Sequence, residues 1–156
     1  KEQGLYVVPE IMVPLIMDEN ELVIIKTIVE KVALKQQEKH NINFKYLFGT
    51  MIELPKAALR ADKISKLVDF CSFGTNDLTQ TTLGISRDDA GKFLPEYKRT
   101  GILQNDPFTS IDISGVGELI SIAGKKGRAA NPKIKFGICG EHGGDPDSII
   151  FWNSLG

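Results

Sequence analysis

The chain has 156 residues, of which 42% are hydrophobic and 25% charged, with a formal net charge of −1. These are the values of an ordinary globular domain, and they give no reason to expect a nucleic acid or an acidic membrane surface as partner. With two cysteines and no apolar run near the roughly 20 residues of a membrane span, we expect a cytoplasmic or organellar protein rather than a secreted or membrane one.

The first part of the chain predicts two strand–helix pairs. Ile11 to Met17 is a short apolar run, typical of a buried strand. Asp18 to Asn20 then offers N-cap residues, and apolar residues recur after it at helical spacing. Tyr46 to Ile52 is the second apolar run, and it leads to a segment rich in helix formers from Ala57 to Leu67.

The remainder continues this alternation. Val68 to Phe73 predicts a third strand, and the polar stretch from Ser86 to Ser114 predicts loops. Val116 to Ala123 predicts a helix and Ile134 to Ile138 a fourth strand. The Asp145–Pro146 pair has the N-cap and first-turn residues of a final helix.

Strands that alternate with helices predict a parallel α/β sheet. Four strands are about half of an eight-stranded TIM-type (β/α)8 barrel, and a doubly wound open sheet is the alternative. The sequence has no initiator methionine and stops within a predicted helix, so we expect a fragment of a longer polypeptide.

Polar side chains follow three of the four predicted strands. Glu53 comes after the second strand, Asn76 and Asp77 after the third, and Cys139 after the fourth. Because sites in α/β proteins lie at the carboxyl ends of parallel strands, these groups should meet on one face.

The two carboxylates allow two interpretations. Glu53 and Asp77 could bind Mg²⁺, which typically takes one or two protein carboxylates and leaves positions for water and substrate. Each could instead cap the helix that follows it. Gly74 and Thr75 could bring backbone N–H groups close to a phosphate or carboxylate, although such a pair is usually a simple turn.

The cysteines and His142 also have alternatives. A free cysteine is usually a buried small hydrophobe, which is our interpretation of Cys71. Cys139 lies between Ile138 and Gly140 at a predicted strand end, where a role in proton transfer becomes possible. His142 could be a base or a hydrogen-bonding scaffold residue.

The run DFCSFGTNDLTQ, residues 69–80, resembles the signature of the phosphoenolpyruvate-utilising enzymes. Pyruvate, phosphate dikinases, phosphoenolpyruvate synthases and Enzyme I of the sugar phosphotransferase system share versions of it. Four further segments resemble the dikinases in particular: Gly49–Glu53, Ser86–Pro95, Gly115–Leu119 and Gly137–Gly144. The resemblance extends from about Pro9 onward.

The resemblance implies a fold and a place in a larger enzyme. Residues 1–156 would be a fragment of the phosphoenolpyruvate/pyruvate-binding barrel, its C-terminal half without the closing strand. No part of the chain resembles the family's ATP-grasp nucleotide domain or its phosphohistidine domain. The parent would be a homodimer, and the isolated stretch is expected to be inactive.

The resemblance also implies roles for individual residues. Glu53 and Asp77 match the Mg²⁺ ligands. Glu53 and the segment Gly74–Asp77 match the groups that contact bound pyruvate or phosphoenolpyruvate. Cys139 matches the acid that protonates the enolate on its methylene carbon.

The implied parent activity is that of a phosphotransferase with paired acceptors. It would interconvert ATP, phosphate and pyruvate with AMP, diphosphate and phosphoenolpyruvate through a phosphohistidine carried on a second domain. Phosphoenolpyruvate synthase and Enzyme I are the rival enzymes. A fragment that binds phosphoenolpyruvate or pyruvate without doing chemistry is the alternative of another class.

Overall fold

A computed structural model describes residues 7–156, and in it strands alternate with helices as the sequence predicts. The strands, β1 to β4, are Glu10–Val13, Leu47–Ile52, Phe70–Gly74 and Lys135–Cys139. The helices of this range, α1 to α8, are Glu19–His40, Pro55–Leu59, Ala61–Ile64, Thr75–Leu83, Arg87–Ala90, Leu94–Arg99, Glu118–Ala130 and Pro146–Ser154. A π-helical turn, Ile113–Gly117, leads into α7, and a 3-10 turn, Glu141–Gly143, precedes α8.

The four strands form one parallel sheet in the order β1-β2-β3-β4. Each strand therefore pairs with its neighbours in sequence, and the order contains no reversal. A doubly wound sheet places its ligand site where the strand order reverses, and this sheet has no such point. At the carboxyl end of the sheet, Gly74 of β3 lies opposite Cys139 of β4.

The two faces of the sheet differ sharply. Side chains alternate along each strand, so Phe48, Ile52 and Phe73 share one face and join the main hydrophobic core beneath the helices. The opposite face carries Met12 and Phe70 together with small residues, and Met12 is 42% exposed. This second face borders an open hollow of about 380 Å³.

Local signals fix the helix ends. Asp18 accepts a hydrogen bond from the main chain of Asn20, and Glu21 bonds back to the Asp18 main chain, which together make a capping box at the start of α1. Pro55 occupies the first turn of α2, where its missing N–H costs nothing. No helix within residues 7–156 combines the length and apolar character that a membrane crossing requires.

The boundaries correct three sequence predictions. The first strand ends at Val13 rather than at residue 17, because Pro14 cannot donate to the sheet and Leu15 takes a positive φ of 54°. The helix expected over 57–67 is two short helices that meet at Arg60. The polar stretch 86–114 is not all loop, since it contains α5 and α6.

Helices α5 and α6 have a small hydrophobic core of their own. Ala90, Leu94 and Phe108 are buried together and form a cluster apart from the main core. Ile85, Phe93 and Leu103 pack around them. We call residues 85–108 the insert, because they lie between α4 and the π-helical turn.

Candidate active site at the carboxyl ends of the strands

Glu53 follows β2 and is buried, with 2% of its surface exposed. Its Oε1 accepts a hydrogen bond of 2.6 Å from the main-chain N–H of Leu15, which lies two residues after the end of β1. The capping interpretation of Glu53 is wrong, because the N-cap of α2 is Leu54 and no side chain bonds to that helix start.

Burial raises the pKa of the Glu53 carboxyl above its ordinary value of 4.5. The Leu15 N–H opposes this shift, and the neighbouring Asp77 carboxylate adds to it. Asp77 lies in the first turn of α4, the helix whose N-cap, Gly74, lies beside the Glu53 side chain. The structure thus brings together the two residues that the sequence proposes as a cation site.

Gly74 lies at the centre of this arrangement. A Cβ atom added to it would come within 2.7 Å of the Glu53 Cβ and 2.8 Å of the Met51 Cε, well inside normal contact. Its φ of −81° is accessible to any residue, so space rather than backbone conformation requires glycine here. Gly74 thereby touches Glu53 on one side and pairs with Cys139 on the other.

Asp77 lies in the first turn of α4, whose N-cap is Gly74. Its Oδ1 accepts a hydrogen bond of 3.2 Å from the side chain of Gln80 rather than from a main-chain N–H of the helix. The same amide group of Gln80 accepts, through its oxygen, a 2.9 Å bond from the main-chain N–H of Arg87. Gln80 thus orients Asp77, and the sequence offered one signal for it, the i,i+3 helical spacing.

Cys139 is the last residue of β4 and is half-buried. Its Sγ donates a hydrogen bond of 3.4 Å to the carbonyl oxygen of Phe73, the residue before Gly74. The thiol therefore lies beside the start of the Gly74–Asp77 segment. Cys71 is 1% exposed, and burial raises the pKa of its thiol to about 12, which confirms it as a core residue.

His142 is completely buried and makes two hydrogen bonds through its ring. Its Nδ1 lies 2.7 Å from the hydroxyl oxygen of Thr75, and its Nε2 lies 2.8 Å from the carbonyl oxygen of Pro107. The Thr75 hydroxyl also lies 3.2 Å from the carbonyl oxygen of Cys139. This geometry favours the scaffold interpretation of His142 over that of a catalytic base.

The donor set suits Mg²⁺ better than a metal held wholly by protein. Within residues 7–156 no group of three or more His, Cys, Asp or Glu could hold a metal ion. Glu53 and Asp77 supply two carboxylates, which leaves other octahedral positions for water and an oxyanion substrate, as Mg²⁺ sites typically do.

Residues 3–156 match the family profile described as PEP-utilising enzyme, PEP-binding domain. The chain belongs to this family. It is 57% identical over 155 residues to the pyruvate, phosphate dikinase of Rhizobium meliloti (strain 1021), a match that covers 99% of this chain and 17% of the relative.

Two further relatives show the same pattern. Pyruvate, phosphate dikinase 1, chloroplastic, of Arabidopsis thaliana is 55% identical, with 100% of this chain and 16% of the relative covered. The pyruvate, phosphate dikinase of Clostridium symbiosum is 51% identical, with 100% and 18% covered. The chain of this PEP-binding domain thus spans 16% to 18% of the length of these relatives.

Proposed function

We propose that the chain is part of the phosphoenolpyruvate/pyruvate-binding domain of a pyruvate, phosphate dikinase. This portion would bind Mg²⁺ together with pyruvate or phosphoenolpyruvate and protonate the enolate. The observation that carries the proposal is the convergence at Gly74, where the Glu53 side chain and the Cys139 strand meet the Gly74–Asp77 segment. The similarity to relatives named pyruvate, phosphate dikinase supports it.

The proposed architecture is the C-terminal half of a TIM-type barrel, without the closing strand. Parallel sheets are normally covered on both faces. Here the face that carries Met12 and Phe70 borders an open hollow, whereas the opposite face is packed beneath helices. In a closed barrel that open face would be the interior, filled by side chains from the other strands. The sequential strand order agrees with this arrangement.

Glu53 and Asp77 are the proposed Mg²⁺ ligands. The Glu53 carboxyl is buried with a raised pKa, and Asp77 lies in the first turn of the helix that begins beside it. A divalent cation would favour the ionised form of Glu53 and lower its pKa. When bound, Mg²⁺ would supply Lewis-acid stabilisation of the negative charge on the enolate oxygen.

The remaining groups act directly on the substrate. Asn76 follows Thr75 at the start of α4. Its side-chain oxygen is buried and has no hydrogen-bond partner among the described residues. An amide N–H of Asn76 would donate to the enolate oxyanion without adding charge.

A thiol is mostly protonated at neutral pH. Cys139 would donate its Sγ proton to the methylene carbon of the enolate, which gives pyruvate, and would recover it in the reverse direction. This role is supported by the position of Sγ, which lies 3.4 Å from the carbonyl oxygen of Phe73, the residue before the proposed substrate segment.

The proposal requires partners beyond this chain. The phosphoryl group would be exchanged with a phosphohistidine domain of the full-length protein, which would form a homodimer. Phosphoenolpyruvate synthase and Enzyme I remain the competing assignments, and diphosphate formation separates them. The full-length protein that carries this chain should form diphosphate from ATP and phosphate, whereas neither alternative enzyme would.

Binding of oxalate tests the site itself, because oxalate mimics the enolate of pyruvate. Calorimetry on the full-length protein should show binding that requires Mg²⁺ and is lost in Asp77→Ala. Asp89→Asn is a suitable control, because Asp89 is a surface carboxylate paired only with Lys92. Equal affinity in wild type and Asp77→Ala would overturn the metal assignment.

A further inference from the structure

His142 joins three segments that are distant in sequence. One ring nitrogen meets Thr75, the first residue of α4, and the other meets the Pro107 carbonyl at the end of the insert. Thr75 and His142 are both 0% exposed, so water does not compete for these bonds. The ring therefore spans from the proposed substrate segment to the insert, three residues beyond Cys139.

The Pro107 carbonyl decides which ring nitrogen of His142 must carry a proton. A carbonyl oxygen can only accept, so the Nε2 that faces Pro107 carries a proton. The other ring nitrogen, Nδ1, meets the hydroxyl of Thr75, a group that can either donate or accept. The Thr75 hydroxyl lies between the ring and the strand end, 2.7 Å from Nδ1 and 3.2 Å from the Cys139 carbonyl oxygen, to which it donates.

We propose that His142 is a positioning residue for Cys139, an inference that rests on the function proposed above. By holding the Thr75 hydroxyl, it fixes the surface against which the Cys139 turn packs. Gly140 has a φ of 113°, and a Cβ atom at this position would come within 2.6 Å of the Thr75 hydroxyl oxygen. The turn after Cys139 and the start of α4 thus lie in direct contact across Thr75, and His142 sets the rotamer at that contact.

The expected consequence is specific to proton transfer. If the Thr75 rotamer is released, the Cys139 turn and the Gly74–Asp77 segment lose their fixed separation. A displacement of about 1 Å at a reacting group can cost roughly a hundredfold in rate. Formation of diphosphate from ATP and phosphate does not use Cys139, so it should proceed unchanged.

The test follows exchange of pyruvate methyl protons with deuterium from solvent, measured by NMR on the full-length protein with Mg²⁺. The Cys139 thiolate takes a methyl proton and leaves the enolate, the resulting S–H exchanges with solvent to S–D, and the deuteron is then donated back to the carbon. His142→Leu should lower this rate by about 30- to 100-fold. His142→Gln keeps a neutral acceptor and donor pair and should restore most of it. Diphosphate formation should stay within about twofold of wild type in both variants.

Thr75 supplies a second variant in case His142→Leu fails to fold. Thr75→Val removes the hydroxyl at nearly constant shape and should reproduce the loss of exchange. Wild-type exchange rates in His142→Leu or in Thr75→Val would overturn the inference. So would a Gln variant as slow as the Leu variant, because that result would point to packing alone.

Cys139→Ala separates failure of this inference from failure of the proposed function. If Cys139→Ala exchanges protons as fast as wild type, the assignment of Cys139 as the acid is wrong. If Cys139→Ala abolishes exchange while His142→Leu leaves it intact, only the positioning role is overturned.

Discussion

Gly74→Ala is the most direct perturbation of the proposed site, since the change adds one methyl group and nothing else. The φ of −81° at Gly74 suits alanine, so any effect comes from contact rather than from backbone strain. The new methyl carbon would meet the Glu53 Cβ at 2.7 Å and the Met51 Cε at 2.8 Å. It would also press on the Glu53 carboxylate oxygen, which Leu15 holds from the other side.

The size of the effect follows from these distances. Normal carbon–carbon contacts begin near 3.5 Å, so the surroundings must open by about 0.8 Å. Overpacking of this kind typically costs about 1–3 kcal/mol. If the strain falls on Glu53, affinity for oxalate with Mg²⁺ should drop roughly 5- to 150-fold. If it falls on the backbone, the free energy of unfolding should drop by the same amount.

Calorimetric titration with oxalate and chemical denaturation would measure the two effects on the full-length protein. Gly91→Ala is the matched control, because no atom lies within 4 Å of its added Cβ and its φ is −56°. That variant should bind oxalate like wild type. A Gly74→Ala protein with wild-type affinity and stability would refute the close packing between Gly74 and Glu53.

Three further outcomes test other contacts of the site. The pKa of Glu53 is raised in the folded protein, so metal-free wild type should lose stability relative to Glu53→Gln as pH rises from about 4.5 through the folded-state pKa. Thermal melts across this pH range would measure the difference. Glu53→Gln should no longer bind oxalate with Mg²⁺. Gln80→Leu removes the donor to Asp77 and should weaken oxalate binding roughly fivefold, about 1 kcal/mol, by calorimetry. Mass spectrometry after maleimide treatment of native protein should find Cys139 modified before Cys71, whose buried thiol has a pKa of about 12.

The sequence was most informative where periodicity alone decides the outcome. The apolar runs predicted β2, β3 and β4 to within two residues of their ends, because strands of a parallel sheet are short runs of mainly apolar side chains. The position of Glu53, Gly74 and Cys139 at one end of the sheet followed from the rule that parallel strands end on one face. No knowledge of side-chain packing was needed for either prediction.

The contacts that could not be predicted are non-local or lie in the main chain. A leucine at position 15 does not predict a positive φ, nor does it predict that its N–H donates to Glu53, 38 residues away. His142 had two open interpretations, and its partners Thr75 and Pro107 lie 67 and 35 residues away. Only the folded chain decides between a base and a scaffold residue in such cases.

The insert has a core of its own, built around Ala90, Leu94 and Phe108, so the side chains that stabilise it are separate from those that stabilise the sheet. Its tie to the active site through His142 reaches a main-chain carbonyl, which every residue type possesses. The side chains of the insert can therefore change without loss of the hydrogen bond between His142 and the Pro107 carbonyl. A small, separate core is also expected to open before the sheet does, so amides of the insert should exchange with solvent earlier than those of β2 and β3.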